Sequence, residues 1–133
     1  MTDARRVLAV LECASSDEVV LAHAAAVAAA SGGYLTLVVV MPGPVRFVAG
    51  PYCVPLPSAA RRRAEAEAVL ARAVAKVPAG IPLLTAIEEG ATCDVIARRV
   101  EAAAHDLVVV GRRRFRSRSL ARSTRVPVLP VPA

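Results

Sequence analysis

Asp106-Leu107-Val108-Val109-Val110-Gly111 decides the fold class. Its apolar residues run without interruption, which suits a short strand covered on both faces, as in a parallel sheet. The closing glycine marks a turn, and in an α/β sheet the turn that joins such a strand to the next helix is where ligands usually sit. Seven arginines follow within residues 111–125 (Arg112, Arg113, Arg114, Arg116, Arg118, Arg122 and Arg125), and then a second strand-like run, Val126-Pro127-Val128-Leu129-Pro130-Val131. The other 118 residues carry ten basic and eleven acidic side chains, a net of −1, so the formal +6 of the chain belongs to this one segment. Seven guanidiniums beside a ligand-type turn imply an anion or a partner surface.

Working outward, the rest of the chain alternates regularly. Val7 to Leu11 is another short continuous apolar run. Ser15 and Glu18 have capping-box spacing, so the first helix is expected over Asp17 to Ser31, ended by Gly32-Gly33. Tyr34 to Val40 reads as a second strand. Residues 42–57 hold five prolines and two glycines and are expected to form one long loop with no regular element. From Ser58 the pattern is helical again, with Leu70, Ala73, Val74 and Val77 on one face, and it ends at Pro78 and Gly80. Ile81 to Ile87 reads as a third strand, with Pro82 near its start, where an edge position tolerates a missing donor. A third helix follows Glu88-Glu89-Gly90, with Thr92 as the expected cap and Val95, Ile96 and Val100 facing inward. Leu107 to Val110 and Val126 to Val131 supply the fourth and fifth strands, with a short helix between them. This succession predicts right-handed crossovers and an α/β, doubly wound, mostly parallel sheet with helices on both faces.

Length and composition narrow the class. At 133 residues a single domain over residues 1–133 is expected, and roughly two thirds of the unfolded surface can be buried at that size without disulfides or metals. Cys13, Cys53 and Cys93 are far apart, with no C-x-x-C pair and no histidine at ligand spacing, so no zinc site or disulfide framework is expected. A reducing, cytoplasmic setting fits. The apolar run after Arg5-Arg6 stops at Glu12 after five residues, short of the roughly 7–15 that a secretory signal needs. Val19 to Ala30 is shorter than the roughly 20 residues of a membrane span, so no membrane partner is expected.

Val7-Leu8-Ala9-Val10-Leu11-Glu12, the Gly33-Tyr34-Leu35-Thr36-Leu37 entry to the second strand, Glu89-Gly90 before the third helix, His105-Asp106-Leu107-Val108-Val109-Val110-Gly111 and the terminal Val126-Pro127-Val128-Leu129 form an ordered set. In that set the chain resembles the universal stress protein family, and the resemblance covers nearly the whole chain. It implies a five-stranded parallel sheet in the order 3-2-1-4-5 and a homodimer formed through the last strand. Members that hold ATP share a glycine, two residues, a second glycine, nine residues, then a glycine followed by Ser or Thr, because phosphate oxygens must approach backbone N–H groups at a helix start. Gly111 matches the first glycine, Arg114 stands at the second, and no glycine occurs after Gly111. The segment from Gly111 to Pro127 is also shorter than the family pattern. By the same resemblance, Glu12 stands where an aspartate contacts the nucleotide, and Val40 where a backbone group contacts adenine.

Three functions are therefore weighed. The first is a non-catalytic, dimeric stress-response or regulatory module without tightly bound ATP and with no other cofactor. The second is an adenine-nucleotide variant in which Glu12, Val40, Gly111, Arg112, Arg113 and Arg114 form the site, the arginines replacing backbone amides as phosphate ligands. The third is a nucleic-acid or acidic-partner module using residues 111–125, which would bind less as salt rises. Phe47, Tyr52 and Phe115 fall outside the expected elements and suit a lid more than a base-stacking platform. His23, His105 and Cys13 read as structural residues. No catalytic residue is expected, since there is no G-x-S-x-G elbow, Walker sequence or Ser-His-Asp set after neighbouring strands. The apolar last strand, residues 126–131, would need pairing or covering at a sheet edge, which independently favours a homodimer.

Overall fold

The computed structural model describes residues 6–41, 48–49, 52–53, 58–111 and 126–131. In chain order the elements are β1 (Arg6–Leu11), α1 (Asp17–Ser31), β2 (Tyr34–Met41), β3 (Val48–Ala49), β4 (Tyr52–Cys53), α2 (Ala59–Lys76), β5 (Leu83–Glu89), α3 (Thr92–Ala102), β6 (Leu107–Gly111) and β7 (Val128–Val131). The main sheet is parallel throughout, in the order β5-β2-β1-β6-β7. Counting its five strands alone, this is 3-2-1-4-5.

Because side chains alternate along a strand, a sheet buried on both faces needs apolar residues at every position. On one face Val7, Ala9, Leu11, Leu35, Leu37, Val39 and Val109 pack beneath α1 and α2. On the other, Leu8, Val10, Val38, Val40, Val108 and Val110 pack with Val95 and Ile96 of α3. Each large side chain removed from water in this way contributes about 1.5–3 kcal/mol before conformational entropy is counted. The helix α1 meets the sheet through Val20, Leu21, Ala24, Ala25 and Ala28, whose small alanines let its backbone come close.

The acid that leads β6 has a defined task. Asp106 Oδ2 accepts from the Arg6 backbone N–H at 2.9 Å, and the Asp106 N–H donates to the Arg6 carbonyl at 2.8 Å, so the pair starts the β1–β6 ladder. His105 is buried just before it. One ring nitrogen lies 3.0 Å from the Ala103 carbonyl and the other 3.4 Å from Thr36 Oγ1. With Nδ1 donating to the carbonyl, Nε2 accepts from the threonine hydroxyl, which makes the neutral ring the matched form. His23 is exposed, and its ring Nδ1 lies 3.0 Å from the Val19 carbonyl of its own helix.

Several local expectations are corrected. The capping box on Ser15 and Glu18 does not form: the N-cap is Ser16, with no side-chain cap bond, and Asp17 instead folds back to accept from the N–H groups of Glu12 and Ala14 at 3.0 and 3.2 Å. Glu18 is free to reach Lys76 of α2, which holds its carboxyl below the usual range by hydrogen bonding and charge. Thr92 does not cap α3, which starts from Ala91, because its hydroxyl is turned toward β1. The third strand runs over Leu83–Glu89 rather than Ile81–Ile87; Pro82 has no donor to add and contributes only its carbonyl, 2.9 Å from the Leu35 N–H. The last strand starts at Val128 rather than Val126, with the Pro127 carbonyl accepting from the Val108 N–H. Within residues 42–57 a two-residue antiparallel pair, β3 and β4, replaces the expected absence of regular structure; neither strand contains proline or glycine. Val74 of α2, expected on one apolar face with Leu70, Ala73 and Val77, is 40% exposed. The short helix expected after Gly111 lies outside the described residues.

Candidate functional site

The chain leaves β1 toward β2 and leaves β6 toward β7, so the crevice between the carboxyl ends of β1 and β6 is the switch point of the sheet. Of the residues singled out in the sequence, Glu12 stands at the end of β1, Val40 near the end of β2 and Gly111 at the end of β6. The sheet thus brings these three to one end. Arg112, Arg113 and Arg114 lie outside the described residues, as do Phe47 and Phe115.

Glu12 points to the α3 face. Its Oε1 accepts from Thr92 Oγ1 at 2.6 Å, a short charge-assisted hydrogen bond that joins the end of β1 to the first residue of α3. Placing an acid beside a helix N-terminus is also favourable for the helix dipole. Glu12 is therefore committed to α3 while its neighbour Cys13 turns to the opposite side of the sheet, packing with the α1 and α2 core. Cys13 makes this division with φ +56, an unusual backbone conformation for a residue other than glycine. Burial, followed by the nearby Asp17 and Glu65 carboxylates, pushes its thiol up, so it stays protonated. It is a packing group and not an activated nucleophile.

Val40 is buried, with its side chain in the α3-side core, and pairs in register with Glu88 of β5. Glu88 in turn forms an ion pair with Arg99 of α3. One residue further on, the Gly90 N–H donates to the Met41 carbonyl at 3.1 Å, and Arg98 reaches the Glu89 carbonyl at 3.3 Å. The ends of β2 and β5 are thus tied to the turn into α3.

Gly111 is favoured by packing. A Cβ there would lie 2.6 Å from Ser16 Oγ and 3.1 Å from Ser16 Cβ, so glycine lets the end of β6 pass against the start of α1 without displacing the buried serine side chain. Ser16 is itself buried. The same close approach that would admit a phosphate elsewhere here admits a serine side chain.

Sequence reasoning missed Ser16 and Thr92 as partners of Gly111 and Glu12. Capping signals drew attention to Ser15, and nothing local to Thr92 announces a bond across 80 positions to Glu12. Among the described residues no group of His, Cys, Asp and Glu side chains is arranged to hold a metal ion, and no helix is long and apolar enough to cross a membrane.

The comparisons with known proteins agree with this geometry. The family model described as "Universal stress protein family" matches residues 4–132. A universal-stress-family protein from Burkholderia pseudomallei superposes with a TM-score of 0.77 at 24% identity, covering 100% of this chain and 99% of the other. A universal stress protein solved in complex with cAMP follows at 0.71 and 20% identity, with 97% of each chain covered. The universal stress protein UspA from Lactobacillus plantarum gives 0.62 at 16% identity, over 94% of this chain and 95% of its own. No curated protein is significantly similar in sequence. At these identities the solved structures speak for the fold, and the family match speaks for descent. The chain belongs to the universal stress protein family.

Proposed function

We propose that this protein is a non-catalytic, cytoplasmic stress-response or regulatory module that works as a homodimer and holds no tightly bound ATP. The observation that carries the reading is the Thr92–Glu12 hydrogen bond. The acid at the nucleotide-contacting position is engaged by the protein itself, and Gly111, the remaining glycine of the phosphate pattern, is already accounted for by Ser16. The substitution of Arg114 for the second glycine and the lack of any later glycine support the same reading. For the dimer, the support is the edge position of β7, where Leu129 is 38% exposed in an apolar strand that, among the described residues, has a sheet neighbour on one side only.

A second reading, an adenine-nucleotide-binding variant, draws on the structural neighbour solved with cAMP. A ligand with one phosphate makes less demand on a glycine cradle than a triphosphate does, and Arg112, Arg113 and Arg114 would supply its charge partners. Thermal melting in the presence of ATP and, separately, cAMP tests both. No change with ATP at concentrations on the order of 1 mM is expected, since a ligand present well above its Kd stabilises by several times RT. A rise of several degrees with ATP overturns the first reading, and a rise with cAMP alone selects the second.

A further inference from the structure

On the opposite side of the sheet from Glu12, a groove of about 470 Å³ opens between the first turn of α1 and the face of α2. Its volume falls within the range of small-molecule sites. It shares none of Glu12, Val40 and Gly111. The floor is apolar: Leu11, Leu21 and Ala73 are buried, Val69 is half-buried, and the neutral Cys13 thiol sits beside them. The rim is charged, and its charges divide into two sets. Glu18 and Lys76 pair with each other at 2.5 Å, and Asp17 is held by the backbone N–H groups of Glu12 and Ala14. Glu65 and Arg72 make no ion pair among the described residues.

Glu65 and Arg72 are seven residues apart on α2 and therefore lie on one face, separated by about 10 Å along the helix axis. Val69 lies between them, on the same stripe. The groove thus presents a negative group, an apolar stretch and a positive group in line.

We propose that the groove between α1 and α2 binds a small zwitterion with an apolar middle, its ammonium placed at Glu65 and its carboxylate at Arg72. Arg72 supplies the planar fork that suits a carboxylate, and Glu65 the acceptor that suits an ammonium. The apolar middle covers Val69 and Ala73 and removes them from water. Binding is noncovalent, because the nearby thiol is protonated. This site is independent of the nucleotide reading: its charges come from α2, and the groove lies on the other face of the sheet.

The test is an amide NMR titration of the full-length, nitrogen-15-labelled chain with ω-aminooctanoate, which spans about the separation of the two charges, and in parallel with octanoate and with octylamine. Saturable shifts at Cys13, Ala14, Val69, Arg72 and Ala73 are expected for the zwitterion, with each singly charged analogue weaker by at least about tenfold. Arg72→Gln and Glu65→Gln should each reduce zwitterion affinity by about the same factor, while Arg63→Gln, on the same helix but outside the groove, leaves it unchanged. Absence of saturable shifts, equal binding of all three compounds, or indifference to both groove substitutions overturns the proposal.

Discussion

Glu12 and Cys13 are adjacent in the chain, yet they belong to two regions of opposite character. On the Glu12 side the polar groups at the strand ends are engaged by the protein's own contacts, Thr92 on Glu12, Arg99 on Glu88 and the Gly90 N–H on Met41, while Ser16 at the start of α1 meets Gly111 from the other face of the sheet. The groove on the Cys13 side keeps an apolar floor open and leaves two rim charges without ion-pair partners among the described residues. Position at the carboxyl end of a parallel sheet therefore does not identify a ligand site by itself. What separates the two regions is which polar groups have already been spent on the fold.

The largest effect is expected where β6 passes closest to α1. Gly111→Ala should destabilise the protein by about 2–3 kcal/mol, because the added methyl meets Ser16 at overlapping distance in a buried place. Adding Ser16→Gly should recover a good part of that loss, since glycine is accepted at an N-cap and removes both atoms that clash. Chemical denaturation of the two single variants and the double variant measures the coupling. Strictly additive costs would show that Gly111 is not a packing glycine.

Breaking the Thr92–Glu12 bond is a smaller change. Thr92→Val keeps the shape and removes the donor, with an expected loss of about 1–2 kcal/mol in the same assay. Glu12→Gln should cost less than Thr92→Val, because the amide oxygen still accepts from the hydroxyl. If Thr92→Val leaves stability unchanged, the crevice is not held closed by this bond.

The smallest effect is one of pH and concerns the opposite end of the sheet. Burial lowers the pKa of His105, the Ala103 carbonyl opposes this, and the Arg99 and Arg6 charges lower it further. Because the folded pKa lies below the unfolded value of 6.5, the associated stability is fully present above that value and is lost as pH falls from it through the folded pKa. Melting temperatures taken on descending through this window should fall more for the natural protein than for His105→Gln. Parallel slopes would mean that the ring is not kept neutral by the fold.

Much of the fold was legible because both faces of this sheet are buried, so β1, β2 and β6 are written as continuous apolar runs that no one-sided strand would tolerate. Helix ends marked by Gly32 and Pro78 were equally visible. Val74 was not, since a helical stripe records periodicity but not how far the sheet extends beneath it: α2 lies over β2 and the edge strand β5, and the outer side of that stripe remains in water. For the site, residue positions were legible and residue relations were not. Glu12, Val40 and Gly111 come to one end of the sheet as the strand order requires, whereas the contacts that occupy them arrive from Thr92 and Ser16 through the packing of α3 and α1. Such partners leave no periodic or local trace. The groove is hidden for the same reason, because the seven-residue spacing of Glu65 and Arg72 gives no sign that α1 lies beside them.

With Glu12 engaged by Thr92 and Gly111 packed against Ser16, the protein is expected to carry no tightly bound ATP. Mass spectrometry of the small molecules released from the freshly purified, denatured protein tests it most directly. No adenine nucleotide is expected in proportion to the protein. Recovery of ATP at close to one molecule per chain would contradict it and would show that the arginine segment after Gly111 had replaced the missing glycines as a phosphate site.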